Sequence, residues 1–331
     1  MKTKKYLVLF LLFLFFITSC SSKEKDEEII DVYIPDGAPA IAMAKLLNDN
    51  YQGENLKVEY HIVSSDEITI NVANGNADIA LLPTNAAANL YNKGVDIKIV
   101  SSNTWGMLYM VTNNDDFANI SDLNLLKGEV IGVIGKNQVP DLVFKYILNS
   151  YNIQYVESDI KVEDKVAIKY VADGPSMLPL LKNNMLEFGI LAEPALTNSL
   201  TKANVSVIFD LQEEWKKCND SIDSYPQASL IVKTSLLKDN NEFIKEFLNQ
   251  IDLSSDWVLD NTDKLQTILS KYGSTSSITY TKEIIERCNI KLVTGEVMID
   301  AVDDFLKALY SVIPNVIGGK LPDEQFYYKA E

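Results

Sequence analysis

Short apolar runs alternate with amphipathic stretches along most of the chain. Runs rich in β-branched residues predict strands, and apolar positions three to four residues apart between them predict helices. Up to residue 112 this pattern predicts strands at 29–35, 56–63, 77–82 and 97–101, helices at 38–50, 66–74 and 84–92, and an outgoing strand at 105–112. Strands separated by single helices indicate right-handed crossovers and a mostly parallel sheet with both faces covered.

The same alternation begins again after residue 112. It predicts strands at 130–134, 167–171, 188–192 and 205–209, with helices at 140–151, near 177–183 and from Pro194. Residues 74–86 and 184–195 also align by inspection, since each is a helix end, an apolar strand and a Pro-containing turn that starts the next helix. Two similar α/β lobes are the simplest explanation.

The C-terminal third has a different pattern. One more strand is predicted at 225–233, followed by helices at 240–251, 256–271, 281–289 and 296–310 that have no companion strands. These helices are expected to pack on the first lobe. The predicted fold is therefore α/β with two doubly wound lobes, residues 29–112 with 226–331 and residues 113–225. Two crossovers join the lobes as a hinge around a ligand cleft.

The first 28 residues are of another kind. Three lysines among the first five residues precede twelve apolar residues, 6–17, which is shorter than the ~20 needed to span a bilayer. Ile17-Thr18-Ser19-Cys20 and a charged segment follow, an arrangement that resembles a bacterial lipoprotein processing box. The resemblance implies a signal peptide at 1–19, lipidation of Cys20, a tether at 20–28 and a place on the extracytoplasmic face of the cell membrane. An ordinary signal peptide with an incidental cysteine is the alternative.

Charge narrows the range of partners. The formal charge of −16 becomes −19 once residues 1–19, with three lysines and no acid, are removed. Nucleic acid and anionic membrane surfaces would be repelled, so membrane contact is expected through the lipid alone. Cys218 and Cys288 fit no metal-ligand spacing, and a disulfide between them stays open.

Candidate binding residues follow from the predicted strand ends. In open α/β sheets, ligands bind beyond the carboxyl ends of the strands and at helix N-termini. The polar loops at these positions converge on one cleft if the fold is right, although each alone could be only a helix cap or a turn. The candidates are Asp36, Gly37, Ala38, Ser65, Asp66, Thr84, Asn85, Asn103, Trp105, Lys136, Asn137, Asp173, Ser176, Glu193 and Tyr225.

Catalysis finds little support in the sequence. His61 is the only histidine and lies inside a predicted strand as a half-buried sheet residue. The chain has no Gly-x-Ser-x-Gly elbow, no phosphate-binding Gly-Lys-Ser/Thr loop and no Cys/His cluster with metal spacing. We therefore expect no enzyme activity, no cofactor and no metal.

Four short motifs together resemble a known family. The processing box at Cys20, Asp36-Gly37-Ala38-Pro39, Ala77-Asp78-Ile79-Ala80 and Ala192-Glu193-Pro194-Ala195 are similar to those of solute-binding lipoproteins of ABC importers. Within these, the chain looks most like the NMT1/THI5-like branch, which groups binders of thiamine pyrimidine precursors with binders of sulfonates and nitrate. The resemblance implies a periplasmic-binding-protein type 2 fold, lobe closure on one solute, and docking on a membrane permease driven by an ATPase.

The charges of the predicted cleft suggest a ligand class. Amino-acid binders of this architecture usually clamp the carboxylate with an arginine, but the only arginine, Arg287, lies away from every predicted strand end. Lys136 is the only cation among the cleft loops, whereas several acids lie at strand ends. Trp105, Tyr109 and Tyr225 could stack on a planar ring. We expect an amino-substituted heterocycle such as a thiamine-type pyrimidine, with a sulfonate or nitrate binder, a ligand sensor or an extracellular enzyme as alternatives.

Overall fold

The first third of the described chain forms one α/β unit. The computed structural model describes residues 28–219 and 224–329. The predicted signal peptide, Cys20 and all of the predicted tether except Glu28 lie outside them. The unit comprises β1 (Glu28–Pro35), α1 (Ala38–Ala42), α2 (Ala44–Asp49), β2 (Leu56–Val63), α3 (Ser65–Ala73), β3 (Ile79–Pro83), α4 (Thr84–Asn92) and β4 (Ile97–Trp105). Strands β1, β2 and β3 pair in parallel, as single-helix crossovers require.

A second α/β unit follows directly. It comprises β5 (Leu108–Thr112), β6 (Val130–Ile134), α5 (Val139–Ser150), β7 (Tyr155–Glu157), β8 (Val166–Val171), α6 (Gly174–Lys182), β9 (Phe188–Ala192), α7 (Ala195–Lys202), β10 (Ser206–Asp210) and α8 (Leu211–Cys218). Its sheet has the strand order β10-β5-β9-β6-β8-β7. Strands β6 to β9 pair in parallel, and β5 and β10 pair antiparallel at one side.

The chain then returns to the first sheet. The remaining elements are β11 (Pro226–Lys233), α9 (Thr234–Asp239), α10 (Asn241–Asp260), α11 (Thr262–Ser270), α12 (Lys282–Arg287), β12 (Ile290–Val293) and α13 (Gly295–Val312). Strand β11 lies antiparallel between β3 and β4, so the first sheet has the order β12-β4-β11-β3-β1-β2. Two separate sheets joined by two crossings confirm the predicted two-lobed α/β fold.

The first crossing lies earlier than the sequence pattern suggested. Leu108–Thr112 pairs with β9 and β10, so the chain leaves the first sheet at Gly106 and Met107. The expected boundary at residue 112 differs because 105–112 looked like one apolar strand. A Cβ on Gly106 would lie 2.7 Å from Gln212 Cγ and from Tyr225 Cε1, so only glycine fits this close crossing.

Two strands were not predicted. Strand β12 is a four-residue edge strand with a shifted register against β4, and β7 has three residues. Runs this short carry too little alternation to be separated from the neighbouring helical pattern. The C-terminal helices therefore do have a companion strand, β12, which places the α12–β12 segment beside β4.

An aromatic cluster packs the two units against each other on one side. Phe305 of α13 lies 5.5 Å from Tyr225 and 5.6 Å from Trp215 of α8, measured between ring centroids. All three side chains are fully buried. Burial of each large side chain contributes roughly 1.5–3 kcal/mol. We call Phe305, Trp215 and Tyr225 the aromatic junction.

Candidate functional site

A cavity of about 340 Å³ opens between the two lobes. The carboxyl ends of β1, β3 and β9 and the first turns of α3, α4 and α5 form its walls, as expected for an open α/β sheet. Eight of the predicted residues line it: Asp36, Gly37, Ala38, Ser65, Asp66, Asn85, Asn137 and Glu193. The structure therefore brings residues from five distant segments to one cleft.

The loop after β1 is fixed by the Asp36 carboxylate. Asp36 Oδ1 accepts hydrogen bonds from Ser274 Oγ at 2.7 Å and from Gly37 N at 2.9 Å, and Oδ2 accepts one from Thr275 N at 3.0 Å. Gly37 has φ 97°, a conformation that favours glycine. Asp36 therefore orders the wall of the cavity and holds the 274–275 loop against it.

The first turn of α3 faces the cavity, and the residue before this turn caps the helix. Ser64 is the N-cap residue, and its hydroxyl accepts a hydrogen bond from Glu67 N at 3.2 Å. Ser65 and Asp66 come next and line the cavity. The capping role that the sequence left open for Ser65 thus belongs to its neighbour.

Three neutral polar side chains that line the cavity each have an oxygen without a hydrogen-bond partner among the described residues. Asn85 Oδ1, Thr104 Oγ1 and Gln227 Oε1 are each buried and make no hydrogen bond among the described residues. Asn85 is 8 % exposed and Thr104 0 %. Because buried polar groups are nearly always hydrogen-bonded, these oxygens are candidate acceptors for a solute bound in the cavity.

The ionisable side chains that line the cavity are all acids, and one of them, Glu193, is paired with an arginine outside the lining. The acids Asp36, Asp66 and Glu193 line it, and among its described lining residues none is Lys or Arg. An unpaired anion enclosed here would lose its hydration without a compensating positive charge, which is costly. The cavity is therefore better suited to a neutral or cationic solute that donates hydrogen bonds.

Glu193 is held by an arginine from the other lobe. Its Oε1 accepts hydrogen bonds from Arg287 Nε at 2.5 Å and from Thr197 Oγ1 at 2.9 Å. Arg287 Nη2 donates to Thr197 Oγ1 and Nη1 to Glu283 Oε1. Burial opposes the charge of Arg287, but the bonds to Glu193 and Glu283 outweigh it and raise the pKa of the guanidinium. The expectation that Arg287 lies away from every strand end was wrong, because α12 packs beside the crossing and reaches β9.

One predicted residue, Asp173, lines a neighbouring part of the cleft, and Ser176 caps α6 with it. Asp173 lines a second cavity of about 650 Å³, which shares Asp36, Gly37 and Glu193 with the first. Its Oδ1 accepts a hydrogen bond from Ser176 N at 2.7 Å. The interaction with the Ser176 side chain, and then this backbone bond, lower the pKa of Asp173. Asp173 and Ser176 therefore form the N-cap of α6, and Ser176 lines neither cavity.

The remaining predicted residues make structural contacts outside the cavity. Lys136 is half exposed and pairs with Glu157 at 2.6 Å. Thr84 Oγ1 donates to Pro226 O at 2.6 Å, and Trp105 Nε1 donates to Lys291 O at 2.9 Å. Asn103 Oδ1 accepts from Ser101 Oγ within β4, and Tyr225 belongs to the aromatic junction. Apart from the half-exposed Lys136, these side chains are buried in the packing between elements.

Several lining residues were missed from the sequence. They are Thr69, Thr104, Met107, Gln138 and Gln227. Gln138 and Gln227 belong to loops that the strand-end rule had already selected, so that rule could have found them. Thr104 belongs to such a loop as well, between the selected Asn103 and Trp105, whereas Met107 lies beyond it at the first crossing.

One group of possible metal ligands lies away from this cleft. Atoms of Asp31, Glu59 and His61 fall within 4.8 Å of one another. Asp31 Oδ1 is 2.8 Å from His61 Nε2, and Glu59 Oε1 is 2.6 Å from Lys57 Nζ. These contacts satisfy the three side chains within the protein. His61 is half-buried in β2, as predicted.

Known structures share this architecture. A crystal structure of an ABC transporter protein from Parabacteroides distasonis superposes with TM-score 0.75 at 24 % identity, covering 92 % of this chain and 99 % of that one. The periplasmic aliphatic sulphonate binding protein SsuA of Escherichia coli gives TM-score 0.64 at 13 % identity, covering 92 % and 93 %. The zinc-bound ligand-binding component of an ABC-type import system from Staphylococcus aureus gives 0.60 at 13 %, covering 90 % and 98 %. These likenesses define a two-lobed binding-protein fold.

The sequence itself places the chain more closely. A sequence model of the family described as NMT1/THI5 like matches residues 48–264. The chain belongs to the NMT1/THI5-like family, as its motifs suggested. No curated protein matches the sequence. Within residues 28–219 and 224–329, no helix has the length and hydropathy to cross a membrane.

Proposed function

We propose that this chain is the solute-binding protein of an ABC importer, held by lipid at Cys20 on the extracytoplasmic face of the membrane. It captures one small organic solute between the first lobe, residues 29–107 with 226–331, and the second lobe, residues 108–225, and delivers it to the permease and its ATPase. Its family, its two-lobed fold and a cavity walled by both lobes support this role. It acts as a carrier rather than an enzyme, since the described residues that line its cleft are acceptors and acids without a paired nucleophile and base.

The proposed solute is a small heterocycle with amino groups, similar to the pyrimidine of thiamine. The observation that carries this choice is the set of neutral oxygens on Asn85, Thr104 and Gln227 in a cavity lined by acids without Lys or Arg. Amino groups donate hydrogen bonds to such oxygens, and a single pyrimidine ring fits a cavity of about 340 Å³. The proposed contacts also include Asp36, Ser65, Asp66, Asn137 and Glu193.

A sulfonate or nitrate ligand is the second candidate. Two solved structures of this fold are named as sulfonate-binding proteins from Escherichia coli and Methylobacillus flagellatus. The one-sided negative charge of the cavity weighs against an anion in this chain.

A screen of thermal unfolding separates these solutes. We expect 4-amino-5-hydroxymethyl-2-methylpyrimidine to raise the melting temperature and taurine and nitrate to leave it unchanged. At one hundred times its dissociation constant a ligand adds about 2.7 kcal/mol to the free energy of unfolding. Stabilisation by taurine or nitrate without any response to the pyrimidine would reject the proposal.

Asn85 provides a site-directed test with a matched control on the same helix. Asn85→Ala removes an acceptor from the cavity, so the dissociation constant for the pyrimidine should rise about tenfold, ~1.4 kcal/mol. Asn89→Ala is the control, because Asn89 Nδ2 donates to Asn315 O on the first lobe and lies outside the cavity. Isothermal titration calorimetry measures both. Equal affinities for the two variants would place the solute elsewhere.

The lipid anchor is tested by mass spectrometry of the protein from its membrane fraction. A diacylglyceryl mass on Cys20, and release of the Cys20→Ser variant into the soluble fraction, are the expected results. Co-purified solute would be identified in the same measurement under native conditions.

A further inference from the structure

The single arginine of this 331-residue chain joins the two lobes. Arg287 ends α12 in the first lobe, and two of its three donor nitrogens bond to Glu193 and Thr197 in the second. The Glu193 side chain is 0 % exposed and that of Arg287 22 %. A guanidinium presents several donors in a fixed planar fork, which lysine cannot reproduce. The bonds are therefore specific to this side chain and this relative position of the lobes.

The residues that follow Arg287 hold the first crossing. Asn289 Nδ2 donates to Gly106 O at 2.9 Å, and Asn289 O accepts from Trp105 N at 3.0 Å. Lys291 O accepts from the Trp105 indole at 2.9 Å. We call Arg287, Asn289 and Lys291 the 287–291 brace. Within the brace, Asn289 and Lys291 bond to the first crossing, and Arg287 bonds to the second lobe.

Glu193 connects the brace to the cavity. It lines the cavity, and its carboxylate is oriented by Arg287 and by Thr197, whose backbone N also donates to Glu193 Oε2 at 3.2 Å. When the lobes separate, α12 moves away from α7 and this buried carboxylate loses its cation. A buried acid left without its partner is destabilised, so the ion pair favours the arrangement in which the lobes lie together.

We propose that Arg287 is a positioning residue for solute binding: it holds the lobes together across the cleft and fixes Glu193 as a cavity wall. This inference rests on the proposed solute-binding function. A pre-formed cleft binds more tightly than one that must close first, since the cost of closure is subtracted from the binding free energy. Loss of the arginine should therefore open the ligand-free protein and weaken the solute complex.

The test compares Arg287→Gln with Lys282→Gln in purified protein. Lys282 is a cation on the same helix, but its partner Asp260 is exposed and belongs to the same lobe. Small-angle X-ray scattering without solute should give a larger radius of gyration for Arg287→Gln than for the wild type, and an unchanged one for Lys282→Gln. Titration with the aminopyrimidine should show a dissociation constant raised about tenfold or more in Arg287→Gln alone.

Arg287→Lys carries the test if Arg287→Gln does not fold. Lysine keeps the positive charge beside Glu193 but cannot donate to Glu193 and Thr197 at the same time. The radius of gyration of Arg287→Lys should therefore lie between those of the wild type and Arg287→Gln. A lower melting temperature with an unchanged radius of gyration would mean a merely stabilising ion pair and would overturn the inference. The scattering needs no solute, so failure of pyrimidine binding would reject the proposed ligand and leave this result standing.

Discussion

Two of the contacts between the lobes lie beside the crossings and have opposite chemistry. The aromatic junction is apolar and fully buried, and Tyr225 also donates through its hydroxyl to Gln212 Oε1 at 2.9 Å. The contact of Arg287 with Glu193 and Thr197 is polar and partly open to water. Exposure of apolar surface to water is unfavourable, whereas a guanidinium and a carboxylate that part recover from water a portion of the interaction they lose. We therefore expect the lobes to pivot at the aromatic junction and to open at the brace.

The surroundings of the two contacts fit this difference. Gln212, which bonds Tyr225, also accepts from Leu108 N at 2.7 Å and donates to Leu108 O at 3.0 Å, so the junction is tied to the start of β5. Burial raises the pKa of Tyr225 well above its ordinary value, which keeps its hydroxyl a donor. The brace instead borders the cavity through Glu193. The aromatic junction therefore holds the lobes as a unit, while the contact at Arg287 is placed to respond to a solute.

The largest effect is expected at the aromatic junction. Phe305→Ala removes a fully buried ring from between Trp215 and Tyr225, so the free energy of unfolding should fall by about 3–5 kcal/mol. Urea denaturation followed by circular dichroism measures the loss. Tyr310→Ala on the same helix is the control, because Tyr310 is exposed and should change the free energy by less than about 0.5 kcal/mol. Similar losses for both variants would contradict a special role for the junction.

A smaller effect is expected for the brace. A double-mutant cycle of Arg287→Gln and Glu193→Gln should give a coupling free energy of about 1–3 kcal/mol in urea denaturation, since each single change leaves a partly buried polar partner. Lys307 and Asp303, an exposed pair on α13, provide the control cycle, for which about 0.5 kcal/mol or less is expected. A coupling no larger than the control would remove the basis for an interlobe ion pair.

The smallest effect is expected at Lys136. Its partner Glu157 belongs to the same lobe and both side chains are about half exposed. Lys136→Gln should change the free energy of unfolding by less than about 0.5 kcal/mol and leave the dissociation constant of the pyrimidine unchanged. Calorimetric titration checks this. A large loss of affinity would instead indicate an anionic solute and a cleft in which Lys136 turns inward.

The fold was predictable because its signal is local. Single helices between β-branched runs require parallel crossovers, and this alone predicts two sheets and a site at their carboxyl ends. Asp36, Asn85 and Glu193 were found in this way. The position of the first crossing could not be predicted, because only Gly106 interrupts the apolar run at 105–112. The turn at Gly106 is set by packing against Tyr225, which the local sequence does not reveal.

The contacts of the site depend on distances that sequence does not encode. Arg287 and Glu193 are 94 residues apart, and they meet only because β12 adds to β4 and carries α12 to the cleft. Lys136 was expected to face the solute, but Glu157 of the unpredicted strand β7 provides a nearer partner. Charged side chains choose between solute and protein according to neighbours that only the folded chain provides.

The position of β11 has a consequence for the order in which the protein can fold. This strand lies in the interior of the first sheet, between β3 and β4, yet it follows the whole second lobe in sequence. During synthesis, which proceeds from the N-terminus, the chain can therefore complete the second sheet first, since residues 108–210 contain all six strands of that sheet. The first sheet must wait with an unfilled gap until β11 arrives. The lobe that begins the protein is thus the last to be finished.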